Sequence, residues 1–455
     1  MKIVINTTKH LLQRLIIFTI FVLVLIAVIA YARGYRFNFR EGTISSTGII
    51  SVNSTPRPAK VYINGVLQGA TDTNLTLPYG QYSVEVKKEG YSSWKKDVLL
   101  KGELVMSLNA LLFSKNPSLT PLTNLGISKA VSVGNTDKII LLTTTGDTEK
   151  DGVYLFEPNS QPLTIFPPLK LLMLQSLLPI DVDMNTAEFE FDPNYRQAIV
   201  TFDYVVTDEA KKEMTDASTI SYLITLDNQN VELFDITNSK ETILAKWEAE
   251  KNKELLKIIE TLPKKLQKTA TESFYIVSLS PDEKKVMYVA KDDSSLPIIL
   301  DPPLIGANQT PEVRNIKKGN LYIYDKKEDR NFHIPLTHEI EIPKPTPTVP
   351  ASMPSEDSIS PSVSPTPTPP QILNAPLVRT IQQTVLWYPT SEYIAIKEDK
   401  QIVVMQYDGE NKEVVYAGPF SPEYFGISPD WNLMVVINLN PQNNEYGDLY
   451  SVGIR

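Results

Sequence analysis

Hydrophobic positions follow three different periods along this 455-residue chain. The first is no period at all: LIIFTIFVLVLIAVIAYA, from Leu15 to Ala32, is apolar apart from Thr19. At ~1.5 Å per residue such a helix approaches the ~30 Å of a hydrocarbon core, and Leu11 and Leu12 extend it. The pattern predicts contact with the cytoplasmic membrane through residues 11–32. Ala30-Tyr31-Ala32 has the form of a signal-peptide cleavage site, but the apolar run is longer than the usual signal core, so an uncleaved anchor is expected. Lys2, Lys9 and Arg14 precede the run. Arg33, Arg36 and Arg40 follow it and nearly cancel the positive-inside bias. Orientation therefore rests on where the foldable chain lies, which is entirely after the segment.

The second regime alternates. Gly48 to Asn53 is a short β-type run, and Lys60 to Ile63 resumes it. Asn64-Gly65 is the strongest two-residue hairpin signal, because both residues tolerate the positive φ of a type I′ turn. Pro78-Tyr79-Gly80 marks another turn. Tyr82, Val84 and Val86 then alternate with Ser83, Glu85 and Lys87, the period of a half-buried strand. WKKDVLL and ELVMSL supply further strands. Residues 48–112 read as a small β-sandwich, with 34–47 as a juxtamembrane segment and 1–33 as cytosolic tail and anchor.

The third regime, residues 117–455, repeats. FDPNYRQAIVTF (191–202), LSPDEKKVMYVA (279–290), WYPTSEYIAIKE (387–398) and ISPDWNLMVVIN (427–438) share an apolar residue, a spacer, Pro, a polar turn and a strand. Pro presets φ at the turn, and Asp, Asn or Thr satisfies nearby backbone groups. VGNTDKIILLTT (133–144) is a degenerate first copy. Each copy is followed by a second strand, such as GNLYIYD (319–325) or GDLYSVGI (447–454). Pro389 and Pro429 lie 40 residues apart, a blade length for a β-propeller. The longer gaps from Pro193 to Pro281 and from Pro281 to Pro389 contain a helical insertion (241–270) and a Pro/Ser/Thr-rich tract (341–371). The tract is too poor in apolar residues to fold and reads as a disordered loop. The pattern predicts an all-β chain ending in a propeller of about five blades, with PLTNL (121–125) closing the ring from the N-terminal side. The rival is an irregular stack of sheets without closure.

Composition narrows the chemistry. The net charge is -9, a mildly acidic balance that gives no electrostatic reason to expect nucleic acid, which wants a basic face. With no Cys, disulfides, thiolate metal sites and cysteine nucleophiles are excluded together, and an envelope or cytosolic bacterial chain is favoured. The three histidines, His10, His333 and His338, accompany no carboxylate cluster at ligand spacing. No G-x-S-x-G, phosphate-cradling Gly loop or H-E-x-x-H occurs. Asp181, Asp183, Asn185 and Asp192 imitate a calcium loop, but Thr186 replaces its essential Gly. Ser92-Ser93-Trp94-Lys95 has the form S-x-x-K without its partner motifs. No cofactor or metal is expected.

Residues 48 to about 110 resemble the PEGA domain. The match rests on Pro56 and Ala59, Val61 to Gly65, Gly69 to Thr71, Pro78, Gly80 and Tyr82, and Gly90-Tyr91. The tetrad itself reads Pro56-Arg57-Pro58-Ala59, and Asp72 stands where Pro often follows the Thr. The resemblance implies an extracytoplasmic β module without enzymatic activity. Tyr79, Tyr91 and Trp94 are its candidate stacking contacts for a glycan or protein partner; for each, a core role is the competing assignment. The repeats resemble WD-like, Tol-type propellers with S-P-D-G turns. Pro281-Asp282 and Pro429-Asp430 retain S-P-D, and every copy lacks the Gly. Together these readings lead us to expect a non-enzymatic, single-pass bacterial surface protein with its C-terminal bulk outside the membrane, binding or scaffolding envelope glycans or proteins. The alternatives are a propeller enzyme acting on envelope polysaccharide through carboxylates on its central face, and a subunit gating a secretion or peptidoglycan machine.

Overall fold

The computed structural model describes residues 2–32, 35–38, 43–158, 168–204, 219–337, 340, 342, 373–439 and 446–455. The tract expected to be disordered lies outside these apart from Ile342, as does His338. The chain divides into two compact units: Met1–Phe113 with Leu304–Gln309, and Ser114–Pro303 with Thr310–Arg455.

The first unit opens with helix α1 (Lys2–Ala32), in which Thr19 Oγ1 donates to Leu15 O at 2.9 Å and so hides the one polar side chain of the apolar run. Its window Arg14–Ala32, at mean hydropathy 3.1, is long and apolar enough to cross a membrane. A membrane span and a signal sequence both meet that description. The juxtamembrane segment contains strand β1 (Tyr35–Asn38), paired with the start of β2 (Thr43–Thr55).

Two small sheets follow. Strands β3 (Lys60–Ile63), β4 (Val66–Ala70), β6 (Gly80–Lys87) and β7 (Ser93–Leu100) form one in the order β4-β3-β6-β7. In the other, β2 pairs β5 (Thr73–Pro78) antiparallel and β8 (Val105–Leu111) parallel. Asn64 and Gly65 adopt φ of 49° and 79°, the type I′ geometry expected of the hairpin. Asn64 Oδ1 also accepts the Ser83 N–H at 2.8 Å, pinning the turn to β6. The Pro-x-x-Ala and Gly-x-Thr steps meet: Thr71 Oγ1 accepts the Ala59 N–H at 3.0 Å and lies 2.6 Å from Ser54 Oγ, all buried. Ile50, Val61, Val84, Val86, Trp94 and Leu100 fill the core between the sheets.

The second unit is built from five antiparallel four-stranded sheets, the first four of them in sequence order. Strand β9 (Ser118–Pro121) comes first along the chain. The first sheet is β10 (Ile127–Ser132), β11 (Ile139–Thr143), β12 (Gly152–Phe156) and β13 (Leu169–Leu174). The second is β14 (Val182–Phe191), β15 (Gln197–Tyr204), β16 (Thr219–Thr225) and β17 (Phe234–Asp235). Helices α2 (Lys240–Glu260) and α3 (Lys264–Ser273) then interrupt, broken at Pro263, so the insertion is two helices rather than one. The third sheet is β18 (Phe274–Leu279), β19 (Lys285–Ala290), β22 (Leu321–Asp325) and β23 (Arg330–Ile334), with the two-stranded β20 (Ser294–Ser295) and β21 (Asn315–Ile316) in its excursion. Helix α4 (Ala375–Gln382) precedes the fourth sheet: β24 (Val385–Trp387), β25 (Tyr393–Glu398), β26 (Gln401–Gln406) and β27 (Glu413–Tyr416). The fifth holds β28 (Phe425–Ile427), β29 (Leu433–Ile437) and β30 (Asp448–Gly453).

The fifth sheet takes its fourth strand from the beginning of the unit. β9 pairs antiparallel with β30, Leu119 opposite Val452, so the closing strand is Ser118–Pro121 and not the expected 121–125. Leu122 and Thr123 help hold that end through their N–H groups, which donate to Leu449 O. Shared cores join neighbouring sheets: first with second through Val153, Phe189 and Val200, third with fourth through Val289, Phe332 and Ile394, fifth with first through Leu141, Met434 and Leu449. The unit is propeller-like.

Candidate functional site

The repeat turns share one backbone design. Each lies between the first and second strands of its sheet, and at each the N–H of the residue before Pro193, Pro281, Pro389 or Pro429 donates to a carbonyl four or five residues on. The residue two after each Pro, where S-P-D-G turns carry Gly, has positive φ: Tyr195 54°, Glu283 58°, Ser391 62° and Trp431 68°. A left-handed non-Gly residue is costly. Three of these four side chains or their backbones reach the preceding sheet's turn, which gives that cost a structural return. Tyr195 packs its ring over Gly134, where any Cβ would collide with it. Ser391 Oγ accepts the Asp282 N–H at 2.9 Å. Trp431 O accepts the Tyr388 hydroxyl at 2.6 Å, and the two rings meet edge-on.

Two of the turn carboxylates are occupied. Asp192 accepts N–H groups of Asn194, Arg196 and Gln197 at 2.6 to 3.0 Å, so the imitation calcium loop spends its last ligand on the turn. Asp282 accepts from Ser280 Oγ at 2.7 Å and Lys284 N at 3.2 Å. Burial alone would raise its pKa, but these hydrogen bonds and the nearby Lys285 ammonium prevail and lower it to about 2. Asp430 is exposed. Among the described residues no group of three or more His, Asp or Glu is placed to hold a metal ion.

First strands and turns of all five sheets border two neighbouring cavities, of about 280 and 380 Å³. The larger runs between the turns of Pro281, Pro389 and Pro429, with Trp387 on its wall donating Nε1–H to Ser278 Oγ at 3.1 Å. The smaller is walled by Phe189, Phe191, Leu255, Ile276 and Val378, with Lys251 among them. Both cavities touch Asn135 and Gln382, whose side chains are hydrogen-bonded at 2.9 Å and so partition them. Helix α4 carries Gln382; Asn374 caps it by accepting the Leu377 N–H at 3.2 Å, and Leu377 and Ile381 bury its other face. Arg379 Nη2 lies 3.4 Å from Glu190, which Lys240 also approaches at 3.8 Å. Burial, helped by the Arg379 charge, lowers the Lys251 pKa; burial and the Glu190 charge raise that of Glu248.

Of the residues predicted as contacts, Trp94 requires correction. It faces the core at 2% exposure, because Ser93 and Lys95 take the outward positions on β7 and Trp94 pairs with inward Val86. Tyr91 is half-buried against the same core, with Lys88 Nζ 5.9 Å from its ring centroid. Tyr79 is 59% exposed, alone among the three in presenting its ring to solvent. Pro56 and Ala59 sit at the turn beneath Lys88, which donates to the carbonyls of Arg57 and Pro58 at 3.1 and 2.9 Å. Gly80 opens β6, and Gly90 adopts φ of 79° before Tyr91. Ser92, of the S-x-x-K form, is buried and accepts the Phe113 N–H at 3.0 Å, a structural role. The cavity residues Lys251, Arg379 and Gln382 were not predicted. A signal existed for Lys251: Trp247, Lys251, Leu255 and Ile258 recur at helical spacing, which puts the lysine on the apolar face.

Residues 47–115 match the PEGA domain model, and the chain carries that domain. No curated protein matches the chain. Among solved structures it resembles one from Agrobacterium tumefaciens described as a TolB, at 11% identity and TM-score 0.18, over 66% of this chain and 65% of that one, just under two thirds of its length. A Bacteroides thetaiotaomicron protein of unknown function matches at 10% identity and TM-score 0.18 over 85% and 79% of the two chains. A eukaryotic initiation factor matches at 11% and 0.18 over 86% and 71%. At such scores these likenesses carry no argument, and the propeller-like character rests on this chain's own sheets. A PEGA domain behind an N-terminal apolar helix marks a cell-envelope-associated protein.

Proposed function

We propose that this is a non-enzymatic binding protein of the cell envelope, anchored by α1 in the cytoplasmic membrane with everything after it extracytoplasmic, and that its ligand site is the mouth where the five turns converge. One observation carries the binding part: two adjoining cavities open among the turns, with the lining carboxylate Glu190 held by Arg379 and Lys240, and with the turn carboxylates Asp192 and Asp282, outside both linings, spent on backbone N–H groups. A general acid and base need carboxylates free to exchange protons, so this favours binding over hydrolysis. The apolar walls with a few polar groups are the usual make-up of a ligand site.

A photo-crosslinking side chain in place of Gln383, at the mouth, and another in place of Val414, exposed on the outer strand β27, separate the outcomes. Crosslinks to an envelope component from position 383 and none from 414 support the proposal. Capture equal at both positions, or cleavage of purified envelope polysaccharide by the wild-type protein, overturns it. The topology is tested by N-terminal sequencing and by protease access in spheroplasts. A mature chain starting at Arg33, or full protection of residues 47–455, contradicts it.

A further inference from the structure

The smaller cavity has an unusual wall for an apolar site. Lys251 stands on α2 between Trp247 and Leu255, and its ammonium reaches the cavity past Phe191, to whose carbonyl it donates at 2.7 Å. That is one of three donors. Among the described residues no carboxylate lies within ion-pair distance of Lys251, whereas the neighbouring Arg379 and Lys240 both share Glu190. Lys251 is partly buried, and a partly buried ammonium with donors left over gains free energy from a group that completes its shell. Phe189, Phe191, Leu255, Ile276 and Val378 supply the apolar part of the wall; of the carboxylates on it, Glu190 is held by Arg379 and Lys240, and Glu254 is exposed to solvent.

We propose that this cavity takes an apolar carboxylate, with its acid group on the free donors of Lys251 and its apolar body against Phe189, Phe191 and Val378. The inference rests on the binding role of the mouth and names the chemistry that half of it selects. At about 280 Å³ the space lies at the small end of ligand sites, so it accommodates a short acyl chain or one terminal residue and not a polymer. A short-chain fatty acid and a polypeptide C-terminus with a hydrophobic last residue supply the same chemistry.

Full-length protein in nanodiscs is titrated calorimetrically with hexanoate, hexanamide, acetyl-Ala-Ala-Leu bearing a free carboxylate, and the same peptide as its amide. Each acid is expected to bind at least tenfold more tightly than its amide. Hexanoate alone showing the preference assigns a fatty acid, and the peptide acid alone assigns a C-terminus. Lys251→Met should abolish the preference and Lys251→Arg retain most of it, with thermal unfolding confirming that both variants fold. Equal binding of acid and amide, no binding of either acid, or a preference that survives in folded Lys251→Met overturns the assignment. If no acid binds while position 383 still crosslinks an envelope component, the carboxylate fails and the binding mouth stands.

Discussion

The Ser391 hydroxyl accepts the backbone N–H of Asp282 at 2.9 Å, joining two turns 109 residues apart. Ser391 holds a φ of 62° to do so. In the same seam Lys285, 3% exposed, reaches Glu392 at 2.9 Å and stacks 4.5 Å from the Tyr407 ring centroid. Neighbouring sheets are therefore stapled at their turns as well as by their apolar cores. The missing Gly of the repeat is the position that supplies the staple.

Ser391→Ala should cost about 1 kcal/mol, the worth of a typical hydrogen bond, since Ala gains no relief from the positive φ. Ser391→Gly loses the same bond but removes the left-handed penalty, and should be close to neutral. Denaturant midpoints of the two variants check the order. Ala as stable as wild type would show that the bond contributes nothing, and Ala at least as stable as Gly would show that the left-handed backbone carries no penalty there.

Gly134 and Tyr195 should be strongly coupled. Gly134→Ala places a Cβ against the Tyr195 ring at a backbone φ of 56° and should destabilise by more than about 2 kcal/mol. Tyr195→Gly removes the obstacle, so the double variant should recover at least about 1 kcal/mol relative to additivity. A double-mutant cycle by denaturant unfolding measures this, and strict additivity would contradict the packing.

Asp282 should contribute acid sensitivity. Its carboxyl is depressed from 3.8 to about 2 in the folded chain, so its contribution is present above pH 4 and is lost as pH falls toward 2. Asp282→Asn should be less stable than wild type at pH 6, and the gap should close near pH 2. Parallel stability curves across that window would show that the carboxylate is not the titrating group.

Trp94 and Tyr79 should behave in opposite ways. Trp94→Ala empties the PEGA core and should cost about 3–5 kcal/mol, seen as lost hydrogen-exchange protection of β6 and β7. Tyr79→Ala, on an exposed ring, should change stability by no more than about 0.5 kcal/mol. Comparable effects of the two would mean that the burial assigned to Trp94 is wrong.

Local signals were legible in the sequence wherever one residue's backbone preference fixed a turn. Asn64-Gly65 and the four Pro turns needed no tertiary information, because φ preferences act within two residues. Inner strands such as KVMYVA and LYIYD were visible because they are buried on both faces and read as apolar runs. First and fourth strands were harder to see. Val385–Trp387 and Phe234–Asp235 are too short to show a period, and β9 gains its meaning only from β30 at the other end of the chain. The candidate site was illegible for the same reason. Asn135, Lys251 and Gln382 meet through three different segments, and only the amphipathic pattern of α2 hinted at one of them.

Closure of the second unit by β9 is the claim on which the converging mouth depends. Leu122 N–H donates to Leu449 O at 2.8 Å, so ladder alternation makes Leu119 and Val452 a non-hydrogen-bonded pair. Their Cα atoms should then lie about 4.5 Å apart, within disulfide range. Because the chain has no Cys, Leu119→Cys with Val452→Cys introduces a single candidate bridge. With a protease site inserted after Ser355, oxidation, cleavage and denaturing electrophoresis without reductant should give one linked species that reductant splits into two fragments. Two fragments before reduction, from a variant that folds normally, would contradict a ring closed by its own first strand.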